Sequence, residues 1–130
     1  IEQNIIGAKT FARLMTVEEQ DEEWNTLSTA MNLLAPPYAR RAMRAPTIGP
    51  DGNVERSYAN LIDDINVPFL VVLGGSDPLR DSQELADAYH AAMPEAEILI
   101  YPGVGHSPFI EAPERFNADL RAFAKQIYKN

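Results

Sequence analysis

Two stretches decide the fold of this chain: V-P-F-L-V-V-L-G-G-S-D-P-L at residues 67–79 and A-E-I-L-I-Y-P-G-V-G-H-S-P-F at residues 96–109. Each joins an apolar run of strand length to a glycine-containing turn with one ionisable side chain, Asp77 in the first and His106 in the second. Because the carboxyl ends of neighbouring parallel strands meet at one edge of a sheet, we expect this carboxylate and this imidazole to lie close together. Such a pair is two parts of a hydrolytic triad.

The composition is that of one globular domain. The chain has 130 residues, of which 45% are apolar and 23% are charged. Its 11 basic and 19 acidic residues give a net charge of −8. This excess of negative charge repels phosphate backbones and anionic lipids, so we expect neither nucleic acid nor a membrane surface as a partner.

Cysteine is absent from the sequence, which excludes disulfides, thiolate metal ligands and a cysteine nucleophile. No apolar run reaches the roughly 20 residues of a membrane span. The first residues, I-E-Q-N-I-I, lack the basic and apolar regions of a signal peptide. The sequence therefore predicts a cytoplasmic protein, and no motif in it indicates a cofactor or a metal ion.

The first third of the chain has helical periodicity. We predict a helix at residues 17–34, which T-V-E-E at residues 16–19 would start with a capping box. Trp24, Leu27 and Met31 recur at spacings of three and four residues and form an apolar stripe. This stripe either contacts an apolar substrate or packs the segment against the core.

A boundary follows this helix. Prolines at positions 36 and 37 end the helix, and a short helix is expected at residues 38–44. The stretch A-P-T-I-G-P-D-G-N at residues 45–53 is a turn region and the strongest internal boundary. Residues 54–64 are then predicted to be helical.

The second half of the chain changes to an alternation of strands and helices. Residues 65–73 and 96–101 are predicted strands, and residues 81–93 and 113–128 are predicted helices. The continuous aliphatic run of the first strand is typical of a strand buried on both faces of a parallel sheet. Two strands do not make such a sheet stable, so further strands must be supplied from elsewhere.

These motifs resemble the C-terminal half of the α/β-hydrolase superfamily. The strand and acid turn at residues 67–79 carry the resemblance together with P-G-V-G-H-S-P-F-I-E-A-P-E-R-F at residues 102–116, and the similarity is close over residues 65–129. It implies an α/β fold, in which residues 54–130 form the C-terminal part of the hydrolase core. Residues 1–53 would be a helical cap that precedes this core.

The same resemblance implies roles for individual residues. Asp77 is expected to be the acid of a catalytic triad and His106 its general base. Trp24, Leu27 and Met31 would line the substrate pocket. The implied reaction is acyl transfer, with a small apolar ester, lactone or similar carboxylic derivative as the substrate.

One part of the family pattern is missing. The nucleophile elbow G-x-S-x-G and the oxyanion-hole loop do not occur, and none of the five serines has the glycine frame. These serines are Ser28, Ser57, Ser76, Ser82 and Ser107. Ser107, beside the histidine, is interpreted as a loop-capping hydroxyl. Since the chain also begins with Ile1, we expect the N-terminal half of the hydrolase, with its serine, to come from an upstream segment or a companion chain, and this chain alone to be inactive.

Two other functions stay open. An aspartate nucleophile in the missing half would indicate an epoxide hydrolase or a dehalogenase, and the phenols available for epoxide opening are Tyr38 and Tyr58. A non-catalytic interaction module would instead use its unpaired strand edge to bind a partner or itself. The residue at the elbow separates the first alternative from a serine hydrolase, and an intact-mass measurement separates the second.

Other site residues are less favoured. Asp81 could replace Asp77 as the acid, but it lies where a helix cap is expected. His90 falls within a predicted helix, which indicates a surface or packing role. A metal site of His106, Asp77 and Glu111 has no recognisable ligand spacing. A phosphate cradle in P-G-V-G-H lacks the remaining glycines of a nucleotide-binding loop.

Overall fold

The computed structural model of the chain describes residues 2–36, 38–39, 47–48, 54–55 and 65–128. Five helices and four strands follow one another along these described residues. In chain order they are α1 (Glu2–Arg13), α2 (Glu22–Leu34), β1 (Thr47–Ile48), β2 (Val54–Glu55), β3 (Leu70–Gly74), α3 (Ser82–Ala92), β4 (Glu97–Tyr101), α4 (Pro108–Glu111) and α5 (Pro113–Ile127).

The two strands of the second half form a parallel pair, as the sequence predicts. Strands β3 and β4 pair from Leu70 with Glu97 to Gly74 with Tyr101. Both carboxyl ends therefore lie at the same edge of the sheet, where the following turns meet. Strand β3 begins at Leu70, later than the predicted start at residue 65, and residues 65–69 are not part of it.

The pair is less buried than a central strand of a parallel sheet. In β3 only Val71 and Gly74 are buried, although the sequence predicts burial on both faces. Before this strand, Val67 is 66% exposed and Phe69 is 36% exposed. Among the described residues β3 and β4 pair only with each other, so their outer edges and apolar side chains lack the neighbours that would bury them.

Helix α2 begins five residues later than predicted. The capping box at residues 16–19 does not form, because the Thr16 hydroxyl donates to the Glu18 carbonyl over 2.9 Å. Asp21 caps the helix instead, and its Oδ1 accepts from the Trp24 N–H over 2.7 Å. Residues 16–21 are not helical, and the bond from Thr16 to the Glu18 carbonyl belongs to a local turn that precedes the helix.

The segment between α2 and β3 is described only in part. Strands β1 and β2 pair antiparallel, so the prediction of a helix beginning at residue 54 is wrong at its start. Residues 56–64 of that predicted helix lie outside the described residues. So do most of the predicted turn at 45–53 and all but residues 38–39 of the predicted helix at 38–44.

The helices that flank the parallel pair agree with the sequence. Helix α3 begins after Asp81, whose Oδ1 accepts from the N–H groups of Gln83 and Glu84 over 2.9 and 3.0 Å. Helix α5 occupies the position of the predicted last helix. The short α4 before it was not predicted. Of the helices in the described part of the chain, none is long and apolar enough to cross a membrane.

Candidate active site

The acid turn follows β3 directly and is fixed to the loop after β4. The Gly75 N–H donates to the Tyr101 carbonyl and the Ser76 N–H donates to the Val104 carbonyl, both over 2.8 Å. Asp77 stabilises its own turn through Oδ1, which accepts from the Leu79 N–H over 2.8 Å. These bonds leave the second carboxylate oxygen of Asp77 free to face the neighbouring loop.

The structure brings Asp77 and His106 together. Nδ1 of His106 lies 2.7 Å from Oδ2 of Asp77. The Asp77 side chain is only 8% exposed, whereas the imidazole is 36% exposed. Because an ionised carboxylate only accepts hydrogen bonds, Nδ1 carries the proton and Nε2 is left as an acceptor. No described residue bonds Nε2, so this nitrogen is available to take a proton from another group.

Glycine allows the two loops to approach this closely. A Cβ added at Gly74 would lie 1.7 Å from the carbonyl oxygen of Gly105, and both glycines are buried. Gly103 has a φ of 78°, which a residue with a side chain rarely adopts. The contact between the two loops therefore requires a glycine at position 74, and the backbone conformation of the histidine loop favours a glycine at position 103.

Glu111 joins the site through contacts that sequence reasoning missed. Its Oε1 accepts from the Val17 N–H and its Oε2 accepts from the Gly105 N–H, each over 2.6 Å. The sequence suggested Glu111 only as a metal ligand. Its position shortly after His106 was the available signal, but the partner Val17 is 94 positions away in the chain.

The serines near the site have other surroundings. Ser82 donates to the Gly74 carbonyl, and Ser76 is exposed in the acid turn. Ser107 is fully buried, and its hydroxyl has no hydrogen-bond partner among the described residues. The interpretation of Ser107 as a loop-capping hydroxyl is therefore wrong, although its carbonyl does begin α4. No described serine bonds His106.

The predicted substrate-binding residues lie on α2. Trp24 is half-buried, while Leu27 is 59% exposed and Met31 is 62% exposed. Among the described residues, no hydrogen bond, ion pair or ring contact joins any of these three side chains to Asp77 or His106. The stripe is thus an open apolar surface, and its role as a pocket wall stays a prediction.

Cavities lie near both ends of the sheet. One of about 530 Å³ lies beside the amino ends of β3 and β4, lined by residues 65–69 and 92–96, and is therefore remote from Asp77 and His106. A second, of about 300 Å³, is lined by Arg13, residues 16–20 and Asn25. It borders Val17 and hence the Glu111 contact. We assign the chemistry to the Asp77 and His106 pair rather than to the cavity beside residues 65–69, since within the described part of the chain an acid and a base converge at that pair.

The alternative residues have other surroundings. Asp81 is occupied as the cap of α3, and His90 is exposed in the last turn of the same helix. Glu111 holds two backbone N–H groups. Within the described ranges, no three His, Cys, Asp or Glu side chains are grouped so that they could hold a metal ion.

Comparison with known proteins places this geometry in a family. A model of a family described as the alpha/beta hydrolase family matches residues 5–119, which is most of the chain. The chain belongs to the alpha/beta hydrolase family. The parallel pair, with an acid after one strand and a histidine after the next, is consistent with a partial alpha/beta-hydrolase fold.

Curated relatives of this alpha/beta hydrolase family member align with about half of the chain. A protein of Escherichia coli strain K12 that is named as a carboxymethylenebutenolidase is 33% identical over 72 residues, which are 53% of this chain and 24% of that protein. A protein of the same name from Salmonella typhimurium strain LT2 has the same identity over the same length. The match thus spans about a quarter of the length of these relatives.

Solved structures of hydrolases superpose on nearly the whole chain. A structure described as an aryl esterase from Burkholderia cenocepacia has a TM-score of 0.82 and 28% identity, and the match covers 99% of this chain and 44% of that one. An esterase from a Rhodococcus species has a TM-score of 0.73 and 22% identity, with 95% and 42% covered. The second likeness concerns the fold alone. The chain spans less than half the length of either structure.

Proposed function

We propose that this chain supplies the acid and the base of a serine hydrolase that acts on carboxylic esters or lactones. The observation that carries the proposal is the 2.7 Å contact between Nδ1 of His106 and Oδ2 of Asp77. It leaves Nε2 of a partly exposed imidazole without a partner in the described part of the chain. This is the arrangement that the base of a Ser-His-Asp triad requires.

The proposed reaction is acyl transfer in two steps. His106 takes the proton of the serine hydroxyl on Nε2 while the serine oxygen attacks the ester carbonyl, and then gives that proton to the leaving alcohol. In the second step His106 takes a proton from water while the water oxygen attacks the acyl-enzyme, and it returns that proton to the serine oxygen as the ester bond to the serine breaks and the acid is released. Asp77 holds the imidazole in the correct tautomer and stabilises its protonated form in both steps.

The nucleophile belongs, in this proposal, to an N-terminal region of the hydrolase outside these 130 residues. The sequence contains no G-x-S-x-G elbow. The chain spans 44% of the aryl esterase structure on which it superposes. The edge of β3 that is unpaired among the described residues, together with the exposed Val67 and Phe69, offers a surface where further strands would add to the sheet. An upstream segment of the same polypeptide or a companion chain would supply them.

A small apolar ester is the proposed substrate. The stripe formed by Trp24, Leu27 and Met31 exposes apolar side chains on the predicted cap, where they could contact an acyl or aryl group. Relatives described as an aryl esterase and named as carboxymethylenebutenolidases support a carboxylic ester or lactone as the substrate class. The two roles of the stripe, substrate contact and packing of the cap, predict different effects of a substitution. Leu27→Ala raises KM if Leu27 contacts substrate and lowers stability if it packs.

An esterase assay on the complete hydrolase tests the proposal. The complete protein should hydrolyse p-nitrophenyl acetate, and His106→Ala should abolish all but a residual rate. His90→Ala is the matched control, because that histidine is exposed on α3 and should leave the rate unchanged. Hydrolysis that survives His106→Ala would overturn the proposed role of His106.

Measurements on the same preparation distinguish the serine hydrolase from the two alternative functions. An aspartate at the elbow, with turnover of epoxides or haloalkanes instead of esters, would favour the aspartate-nucleophile enzymes. An intact mass that reveals only oligomers of this chain, with no N-terminal region, would favour a non-catalytic interaction module. A companion polypeptide or a longer chain in the mass spectrum would agree with the proposed hydrolase.

A further inference from the structure

Glu111 connects two segments of the chain that are far apart in sequence. Its Oε1 accepts from the Val17 N–H, in the connection between α1 and α2, and its Oε2 accepts from the Gly105 N–H in the histidine loop. Both distances are 2.6 Å, which is short for an N–H donor and typical of a charge-assisted bond to a carboxylate.

Contacts with Glu111 also flank His106 on both sides. The residue before the histidine, Gly105, donates to the Glu111 carboxylate. The residue after it, Ser107, accepts from the Glu111 N–H through its carbonyl over 3.1 Å. Glu111 therefore bonds the backbone on either side of the imidazole, where the Ser107 carbonyl also accepts from the Ile110 N–H, while among the described residues the ring itself bonds only Asp77.

The backbone at Gly105 packs closely against these partners and leaves little room for a side chain. A Cβ at Gly105 would lie 2.9 Å from Glu111 Oε2, 2.9 Å from the Val17 nitrogen and 3.2 Å from the Thr16 carbonyl carbon. Gly105 and Thr16 are both buried. The histidine loop thus packs directly on the α1–α2 connection, with the Glu111 carboxylate bonded to both.

We propose that Glu111 is a positioning residue of the hydrolase, which holds His106 at hydrogen-bond distance from Asp77 and ties that geometry to the α1–α2 connection. This inference rests on the proposed function. Loss of the carboxylate would free the Gly105 N–H and let the loop move, and displacements of about 1 Å in an active site can cost as much as 10²-fold in rate. The substrate does not need to touch Glu111 for this effect.

A change to glutamine isolates the role of the carboxylate. Glutamine has nearly the same size and shape as glutamate, but it offers one acceptor oxygen and one NH2 donor. It can therefore accept from only one of the two N–H groups and opposes the other with a donor. Glu114→Gln is the matched control, because Glu114 is exposed three residues later and no described hydrogen bond involves its side chain.

The experiment measures kcat and KM of the complete hydrolase for p-nitrophenyl acetate, with kcat expressed per active site titrated by a fluorophosphonate. Glu111→Gln should lower kcat at least tenfold with KM within about threefold of the parent, since the ester does not contact this residue. Glu114→Gln should match the parent in both constants. Titration of active sites removes the effect of misfolded protein, which a purely structural role would produce.

A second variant keeps the test valid if Glu111→Gln does not fold. Val17→Pro removes the N–H that Oε1 accepts and leaves the histidine loop intact, so it should also lower kcat. If both variants fold, their effects should not add, because both act through the same carboxylate. A Glu111→Gln variant with kcat within twofold of the parent would overturn the inference. An inactive parent would instead refute the proposed function.

Discussion

The Asp77 carboxylate uses its two oxygens for different partners, and this division predicts the effect of replacing it. Oδ1 accepts from the Leu79 N–H and Oδ2 lies against Nδ1 of His106. In Asp77→Asn the amide can donate to Nδ1 and select the wrong tautomer of the imidazole. We expect kcat/KM of the complete hydrolase to fall roughly 10⁴-fold, as in other triads.

Asp81→Asn provides the control for that substitution. Asp81 caps α3, and asparagine caps a helix about as well as aspartate. The Asp81 variant should therefore keep the parent's kcat/KM in the same ester assay. The reverse order of effects, with Asp81→Asn inactive and Asp77→Asn active, would show that the acid has been assigned to the wrong residue.

Two buried serines in the site should respond in opposite ways to loss of the hydroxyl. Ser82 donates to the Gly74 carbonyl, which also accepts from the Asp77 N–H over 3.2 Å, so Ser82→Ala removes one of two bonds to that oxygen and should cost about 0.5–1.5 kcal/mol of unfolding free energy. Ser107 has no partner among the described residues, so Ser107→Ala should be neutral or stabilise by about 1 kcal/mol. Urea unfolding of the complete hydrolase measures both. A large loss in Ser107→Ala would reveal a partner for that hydroxyl outside the described residues.

At the scale of elements, the packing of the acid loop on the histidine loop predicts that Gly74 cannot be replaced. A Cβ there would lie 1.7 Å from the backbone oxygen of Gly105, so Gly74→Ala must separate the two loops. We expect a loss of about 3 kcal/mol or more in stability, together with loss of ester hydrolysis.

Gly7→Ala is the corresponding control. Gly7 lies within α1, and a Cβ added there would have no atom within 4 Å. Since alanine favours a helix interior over glycine, this variant should gain up to about 1 kcal/mol by thermal unfolding. Similar losses from both substitutions would contradict the close contact between the loops.

The attachment of α5 to β4 predicts a dependence of stability on alkaline pH. The Tyr101 hydroxyl donates to Asp119 over 2.5 Å, and the Arg115 guanidinium lies 3.8 Å from the centre of the ring. Burial, and then the bond to Asp119, raises the pKa of Tyr101 from 10.0 to about 12. The fold therefore favours the protonated phenol, and this stability is present below pH 10 and is lost as the pH rises toward 12.

Unfolding of the parent and of Tyr101→Phe at several pH values checks this dependence. The parent should be the more stable at pH 8, and the difference should shrink between pH 10 and 12. The exposed Tyr128 gives the control, since Tyr128→Phe should change stability little at pH 8. A difference between parent and Tyr101→Phe that does not vary with pH would contradict the buried bond to Asp119.

Elements with strong local signals were predictable from the sequence. In each such element the sequence signal lies within a few residues. These elements are the two parallel strands, α3 with its Asp81 cap, and α5. The start of α2 was not predictable, because Thr16 and Asp21 both suit a cap and only the structure shows that Asp21 accepts from the first turn while Thr16 lies in a turn before it. The short strand at Val54–Glu55 depends on pairing with β1 rather than on its own pattern.

Part of the candidate site was likewise predictable from the sequence, and part of it was not. Asp77 and His106 could be proposed from sequence because turns after adjacent parallel strands must meet. The contact of Glu111 with Val17 could not, since it depends on how the α1–α2 connection packs against the histidine loop. The Ser107 hydroxyl has no hydrogen-bond partner among the described residues, and this likewise depends on how the chain packs around it, which no local sequence pattern indicates.

At the scale of the whole molecule, the parallel pair supports our proposal that further structure completes this chain. The sheet has two strands among the described residues, and apolar side chains next to it, such as Val67, remain exposed. His106 is the proposed base, and its Nε2 has no hydrogen-bond partner, serine or other, among the described residues. In our account the N-terminal region both completes the sheet and places a serine against His106.

Fluorophosphonate labelling of the complete hydrolase, followed by mapping of the labelled peptide, tests this account most directly. We expect one serine outside these 130 residues to be labelled, with labelling lost in His106→Ala and retained in His90→Ala. Labelling of Ser28, Ser57, Ser76, Ser82 or Ser107, or labelling that does not need His106, would contradict the account.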